Sequence, residues 1–185
     1  SFINVDILSM SSSSSIGNFN FIANLDCVQI GSFSSIGAFN WITGFPTRTN
    51  SKHFSHQPNR CSKLSIGQHS AITKLHHIDC TSTVAIGNYT TIAGYYSQFL
   101  THSVDIYEAR QDSYTINIGS YCFVGTNCIL LGKTLLPDFT VLGAKSLVAR
   151  AMPDQYALYA GSPAKKIKPL AKSANYFTRE KGFIY

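Results

Sequence analysis

The chain has 185 residues and a formal net charge of +6; 44% of its residues are hydrophobic and only 13% are charged. That apolar share suits one domain, with or without small appendages, and argues against disorder despite the serine run at 11–15. Charge is about half the usual share, and much of the excess lies in Lys165, Lys166, Lys168, Lys172, Arg179 and Lys181, with no basic, aromatic-laced stripe through the body, so nucleic acid is not an expected partner.

An aliphatic residue recurs every six positions along most of the chain. Ile16 steps to Ile22, and Ile30 to Ile36 and Ile42. The spacing then fails over 43–63, "TGFPTRTNSKHFSHQPNRCSK", whose Pro, Asn, Ser and Thr predict a loop leaving a corner. It resumes at Ile66, Ile72 and Ile78, and again at Ile86 and Ile92. A second break covers 95–115, "YYSQFLTHSVDIYEARQDSYT", with Tyr96 marking the exit because small residues hold that position elsewhere. From Ile118 the ladder runs unbroken through Val124, Leu130, Leu136, Leu142 and Val148.

Four residues after each aliphatic the side chain is usually small, as in Ser34, Ser70, Thr90, Thr134, Thr140 and Ser146. Cys122 and Cys128 share this position and read as corner fillers. With Cys27, Cys61 and Cys80 they make an odd set lacking any CxxC pair, as in a reducing compartment. Period six fits neither a helix nor a lone strand. It predicts an all-β coil of three short strands, about 18 residues around, stacked in parallel at about 4.8 Å. Gly after the aliphatic is expected to ease the bend. The body is expected to span 1–162, with loops at 43–63 and 95–115. A basic, partly helical tail over 163–185 would start with Pro163 at a helix N-terminus capped by Ser162.

This repeat resembles that of the hexapeptide-repeat acyltransferases over roughly residues 16–168, apart from the two breaks, and implies their left-handed parallel β-helix. The block after the second break resembles the C-terminal signature of sugar O-acetyltransferases and xenobiotic acetyltransferases. It carries Phe123-Val124-Gly125, then Gly143-Ala144-Lys145-Ser146, then Gly161-Ser162-Pro163-Ala164 with Lys165 and Lys168. Residues 74–105 look like the branch that modifies bacterial surface polysaccharides, of the colanic-acid and O-antigen type.

The resemblance implies an acetyl-CoA-dependent O-acetyltransferase acting on a saccharide hydroxyl, with acetyl-CoA as co-substrate and no metal. His102 matches the catalytic histidine, and an imidazole of ordinary pKa near 6.5 suits a general base. Asp105 or Glu108 would orient it. Phe123, Gly125, Thr126 and Ala144 would border the pantetheine arm, with an oxyanion donor near Gly125 or Thr126. Lys165 and Lys168, with Lys166 beside them, would meet the phosphates. Trp41, His53, His56, His76 and His77 are candidates for the acceptor groove, a plain structural role standing beside each. The expected assembly is a homotrimer, with His102 facing a neighbour's coils. No apolar run approaches the roughly 20 residues of a membrane span and no signal peptide is visible, so the expected location is cytoplasmic, including the inner face of the membrane. Alternatives are an N-acyltransferase on an amino-sugar nucleotide, a metal-dependent lyase of the carbonic-anhydrase type, and a non-catalytic β-helix. The lyase would draw on His76, His77 and His102, but the HxxxxH spacing of such prisms is missing.

Overall fold

Each aliphatic of the six-residue ladder stacks on another, one coil away, in the computed structural model, which describes residues 1–182 and 184. One column runs Ile30, Ile66, Ile86, Ile118, Leu136. A second runs Ile16, Ile36, Ile72, Ile92, Val124, Leu142, Tyr159. A third runs Ile22, Ile42, Ile78, Phe99, Leu130, Val148. Apart from Ile16 on an outer coil, every member is 3% exposed or less. Burying each such side chain stabilises the fold by about 1.5–3 kcal/mol. The columns line the three faces of a left-handed parallel β-helix. The first face holds Lys63–Ile66, Val84–Ile86, Ile116–Ile118 and Leu135–Leu136; the second includes Ala71–Ile72, Thr91–Ile92, Phe123–Val124 and Thr140–Leu142; the third holds Trp41–Thr43, His77–Asp79, Gln98–Leu100, Ile129–Leu131 and Leu147–Val148. Phe21–Ile30 bends across the corner from third face to first, and Phe2–Met10 pairs along it in parallel to begin the stack.

The corners correct one expectation. The bend is made by the third residue after the aliphatic, which takes the left-handed conformation without being glycine: Phe33, His69, Tyr89, Tyr121 and Phe139 have φ between 54° and 60°. The Gly that follows the aliphatic answers a different need. A Cβ on Gly87 would lie 2.6 Å from the Gly119 carbonyl carbon on the next coil. The small residue that comes next ties the coils together. Ser34 Oγ accepts from the Ser70 N–H, Ser70 Oγ from the Thr90 N–H, and Thr90 Oγ1 from the Cys122 N–H, at 2.9–3.0 Å. Cys122 and Cys128 are corner fillers, fully buried and free, and burial pushes the Cys122 thiol up to about 12. Outside this corner the rings of Phe33, His69, Tyr89, Tyr121, Phe139 and Tyr156 stack with centroids 4.5–5.3 Å apart.

The C-terminal expectation also changes. Pro163 opens no helix: Ala164–Pro169 is a strand antiparallel to Ala157–Gly161, covering what would be the open edge of the second face. The one-turn helix lies at Asn175–Thr178, without a side-chain cap. Phe177 there packs edge-on against Phe139 and Tyr156. Residues 183 and 185 of the predicted tail lie outside the described residues.

Candidate active site

Most of the chain length beyond the repeat collects at one corner, where the third face turns into the first. There the first loop separates Ile42 from Ile66, Ile78 and Ile86 are eight positions apart, and a hairpin separates Phe99 from Ile118. Both excursions therefore leave the same edge, two coils apart, and they meet. The His56 ring contacts Asp112, Gln57 Nε2 donates to the Ser113 carbonyl at 3.0 Å, and Ser113 Oγ donates to Gln57 Oε1 at 2.8 Å.

The second break is narrower than predicted. Gln98–Leu100 lies in register on the third face with Phe99 fully buried, and only the antiparallel pair His102–Asp105 and Arg110–Ser113 projects. Tyr96 does not mark an exit. Gly94, at φ +68°, accommodates one inserted residue, and Ser97 fills the small corner position instead. Thr126 Oγ1 steadies this wider turn, donating to the Tyr95 carbonyl at 2.9 Å and accepting from its N–H at 3.1 Å.

His102 is the first residue of the hairpin. Its Nδ1 lies 3.0 Å from Oδ2 of Asp79, a residue that sequence reasoning missed. Asp79 ends the third-face strand one coil earlier, paired with Leu100, and is 6% exposed. Its Oδ2 also accepts from the Thr101 N–H and hydroxyl at 2.9 and 2.6 Å and from the His102 N–H at 3.1 Å; its Oδ1 accepts from the Thr81 hydroxyl at 2.6 Å. Burial opposes ionisation of this carboxyl, but the donors from His102, Thr101 and Thr81 outweigh it and hold the group well below the usual carboxylate range. An ionised carboxylate only accepts, so Nδ1 of His102 carries the hydrogen. The same bond raises the His102 pKa against the opposing effect of partial burial. Nε2 makes no hydrogen bond among the described residues, and the side chain is 46% exposed. This is the arrangement of a base: an oriented imidazole with a free lone pair. Asp105, expected to orient the ring, instead accepts from the N–H groups of Tyr107 and Glu108 at 2.9 and 3.1 Å and caps the hairpin turn.

His76 is not in an acceptor groove. It is 1% exposed, with Nδ1 accepting from the Ser97 N–H at 3.2 Å and Nε2 beside Thr73 Oγ1 at 2.9 Å. Burial pushes it down to about 4. Both nitrogens are engaged, which removes His76 from any metal set with His77 and His102. Among the described residues no three His, Cys, Asp or Glu side chains are grouped to hold a metal ion. Trp41 and His77 are exposed neighbours on the third face, Trp41 stacked on Phe21 at 4.3 Å. His53 is exposed in the first loop, edge-on to Phe45.

The residues expected along CoA form two groups. Gly125, Thr126 and Ala144 share the corner between the second and third faces, and a Cβ on Gly125 would come within 2.8 Å of the Ala144 nitrogen. The Gly125 N–H is committed to the Leu142 carbonyl at 2.8 Å, so of the two expected oxyanion donors only that of Thr126 is unspent among the described residues. Phe123 stands beside them, edge-on to Tyr176. Lys165, Lys166 and Lys168 are exposed on the strand Ala164–Pro169. Lys165 and Lys166 line a cavity of about 420 Å³ with Arg150, and Lys166 also pairs with Asp154 at 3.2 Å. Within one chain Thr126 precedes the third face and His102 follows it. They are one prism face apart, roughly 15–20 Å at about 3.3 Å per residue.

No protein-family model and no curated protein sequence matches the chain. Solved structures do. A hexapeptide-repeat acetyltransferase from Vibrio cholerae matches at 24% identity and a TM-score of 0.55, over 58% of this chain and 63% of that one, less than two thirds of its length. A mutant of AntD, an N-acyltransferase from Bacillus cereus solved with dTDP-4-amino-4,6-dideoxyglucose and coenzyme A, matches at 16% and 0.65, over 91% and 84%. A hexapeptide transferase family protein from Anaplasma phagocytophilum matches at 20% and 0.59, over 94% and 93%. The V. cholerae enzyme has also been solved with acetyl-CoA. The unbroken aliphatic columns and these likenesses agree: the chain is built on the left-handed β-helix of the hexapeptide-repeat acyltransferases.

Proposed function

We propose that the protein is an acetyl-CoA-dependent O-acetyltransferase acting on a sugar hydroxyl of a bacterial surface polysaccharide or its precursor. The observation that carries this reading is the Asp79–His102 pair, which leaves Nε2 free at the edge where both excursions emerge. His102 Nε2 takes the hydroxyl proton as the sugar oxygen attacks the thioester carbonyl; the tetrahedral intermediate collapses, and the imidazolium returns the proton to the leaving thiolate. No covalent enzyme intermediate is needed. Lys165, Lys166 and Lys168 suit the phosphates of CoA as point charges, and the close-packed corner at Gly125, Thr126 and Ala144 suits a thin pantetheine arm. That corner is one face away from His102, so the reading places it against His102 of a neighbouring copy in a threefold assembly.

Transfer to an amino-sugar nucleotide is the second reading, favoured by the likeness to AntD. Release of CoA thiol, followed with a panel of saccharides and amino-sugar nucleotides, separates the two. His102→Ala should lower kcat by about 10²- to 10⁴-fold with CoA binding retained. Transfer at an undiminished rate would refute the assignment.

A further inference from the structure

The His102 cavity is not closed on itself. It has a volume of about 220 Å³ and shares Tyr114 and Lys133 with an adjoining cavity of about 380 Å³. Lys133 stands one coil above the base, because the Gly132 N–H bonds to the Leu100 carbonyl at 2.9 Å, and its own N–H is fixed to the Thr115 carbonyl at 2.9 Å. Its Nζ lies 3.9 Å from the centre of the Tyr114 ring. Tyr114 is in turn anchored by its N–H to the Thr101 carbonyl at 2.8 Å. The ammonium is thus held over a ring at the junction of the two cavities. The larger cavity is also lined by Arg60, whose guanidinium lies over the Phe54 ring at 4.7 Å and donates to the carbonyls of Phe45, Pro46 and Thr81. Its Nε is buried without a hydrogen-bond partner among the described residues. Neither cation takes part in any ion pair among the described residues. The rest of the wall includes Gln57, Asn59, Ser82 and Ser113, side chains suited to sugar hydroxyls.

We infer that the acceptor is an anionic saccharide, seated in this double cavity with its acid group on Lys133 and its reactive hydroxyl toward His102. This rests on the acyltransferase reading and deepens it by naming the substrate class. A uronate carboxylate and a sugar phosphate offer the same chemistry to an ammonium group. A charge-assisted bond of this kind is worth about tenfold or more in affinity.

Calorimetric binding to the intact chain, without acetyl-CoA, tests this with glucose, glucuronate and glucose 1-phosphate. At least one anionic sugar should bind about tenfold more tightly than glucose, and which one does identifies the acid group. Lys133→Met should bring that ratio close to one, while Lys133→Arg preserves it. Equal binding of all three sugars by the unsubstituted chain would overturn the inference, as would a preference that survives Lys133→Met. Binding is read without turnover, so failed acetyl transfer in a separate assay would count against the acyltransferase reading and leave the anion site standing.

Discussion

With Nδ1 committed to Asp79, the proton affinity of Nε2 is set by a buried carboxylate. The Asp79 bond raises the His102 pKa, and in the proposed mechanism the neutral ring is the active form, so kcat/KM should rise with pH through a value above the ordinary 6.5. Asp79→Asn removes the main cause of that elevation. The acid limb should then move to lower pH, and the plateau should fall by about 10²-fold or more, since the tautomer is no longer enforced. A profile that drops in height with its limb unmoved would reduce Asp79 to a packing role. The pair's effect on stability has its own window. The raised His102 stabilises fully below about 6.5 and loses this as pH rises through its folded value; the depressed Asp79 stabilises above about 3.9 and loses this as pH falls. Together they contribute most between about 4 and 6.5. At the donor end, replacing Lys165 and Lys168 by Ala should raise KM for acetyl-CoA more than it lowers kcat, and an unchanged KM would remove them from the phosphate site. His102 could be singled out in the sequence as a candidate because it interrupts a periodic pattern just before a recognisable block. Asp79 was not, because its meaning depends on stacking: it lies beneath Leu100, and a reading that ends the coil at Tyr95 never brings residues 98–100 over 77–79.

Among the elements, the corners show where the repeat was readable and where it was not. Small residues at the fourth position were visible, but their use as acceptors for the next coil's N–H appears only in three dimensions. His76 belongs to this system despite its bulk. Asn20 and Asn40 precede it on the same edge; Asn20 Oδ1 accepts from the Asn40 N–H and Asn40 Oδ1 from the His76 N–H, at 2.8 and 2.9 Å. His76 then accepts from Ser97 through Nδ1. Burial holds its pKa at about 4, against 6.5 in an unfolded chain. As pH falls from 6.5 toward 4 the unfolded state therefore binds a proton that the folded state refuses, at a cost of about 3 kcal/mol. His76→Asn repeats the chemistry of Asn40 without a titrating group. Denaturant unfolding between pH 7 and 4.5 should show a smaller acid loss in this variant, and an equal loss would place the titration elsewhere. The excursions were predicted from failures of spacing. Their contact through His56, Gln57, Asp112 and Ser113 follows from leaving a single corner, which requires knowing the faces.

At the scale of the whole molecule, the prism is closed inside and open outside. Three aliphatic columns fill its interior, while Phe19, Phe39, Trp41 and Tyr96 remain 51–76% exposed on its flanks. Apolar surface of this kind on a rigid rod suits association with further copies. The same assembly would resolve the one-face separation between His102 and the corner of Gly125, Thr126 and Ala144. The fold was legible almost entirely, because a period of six admits few solutions; a site shared between copies was implied by the family resemblance alone, because period says nothing about which corner a side chain shares. The structure of the protein crystallised with CoA tests the central claim most directly. The account predicts pantetheine density beside Thr126 and Ala144 of one copy, phosphates among the lysines of 165–168, and the thiol within about 4 Å of a His102 Nε2, in reach for proton transfer. A well-ordered CoA whose thiol lies far from every His102 in the assembly would contradict it.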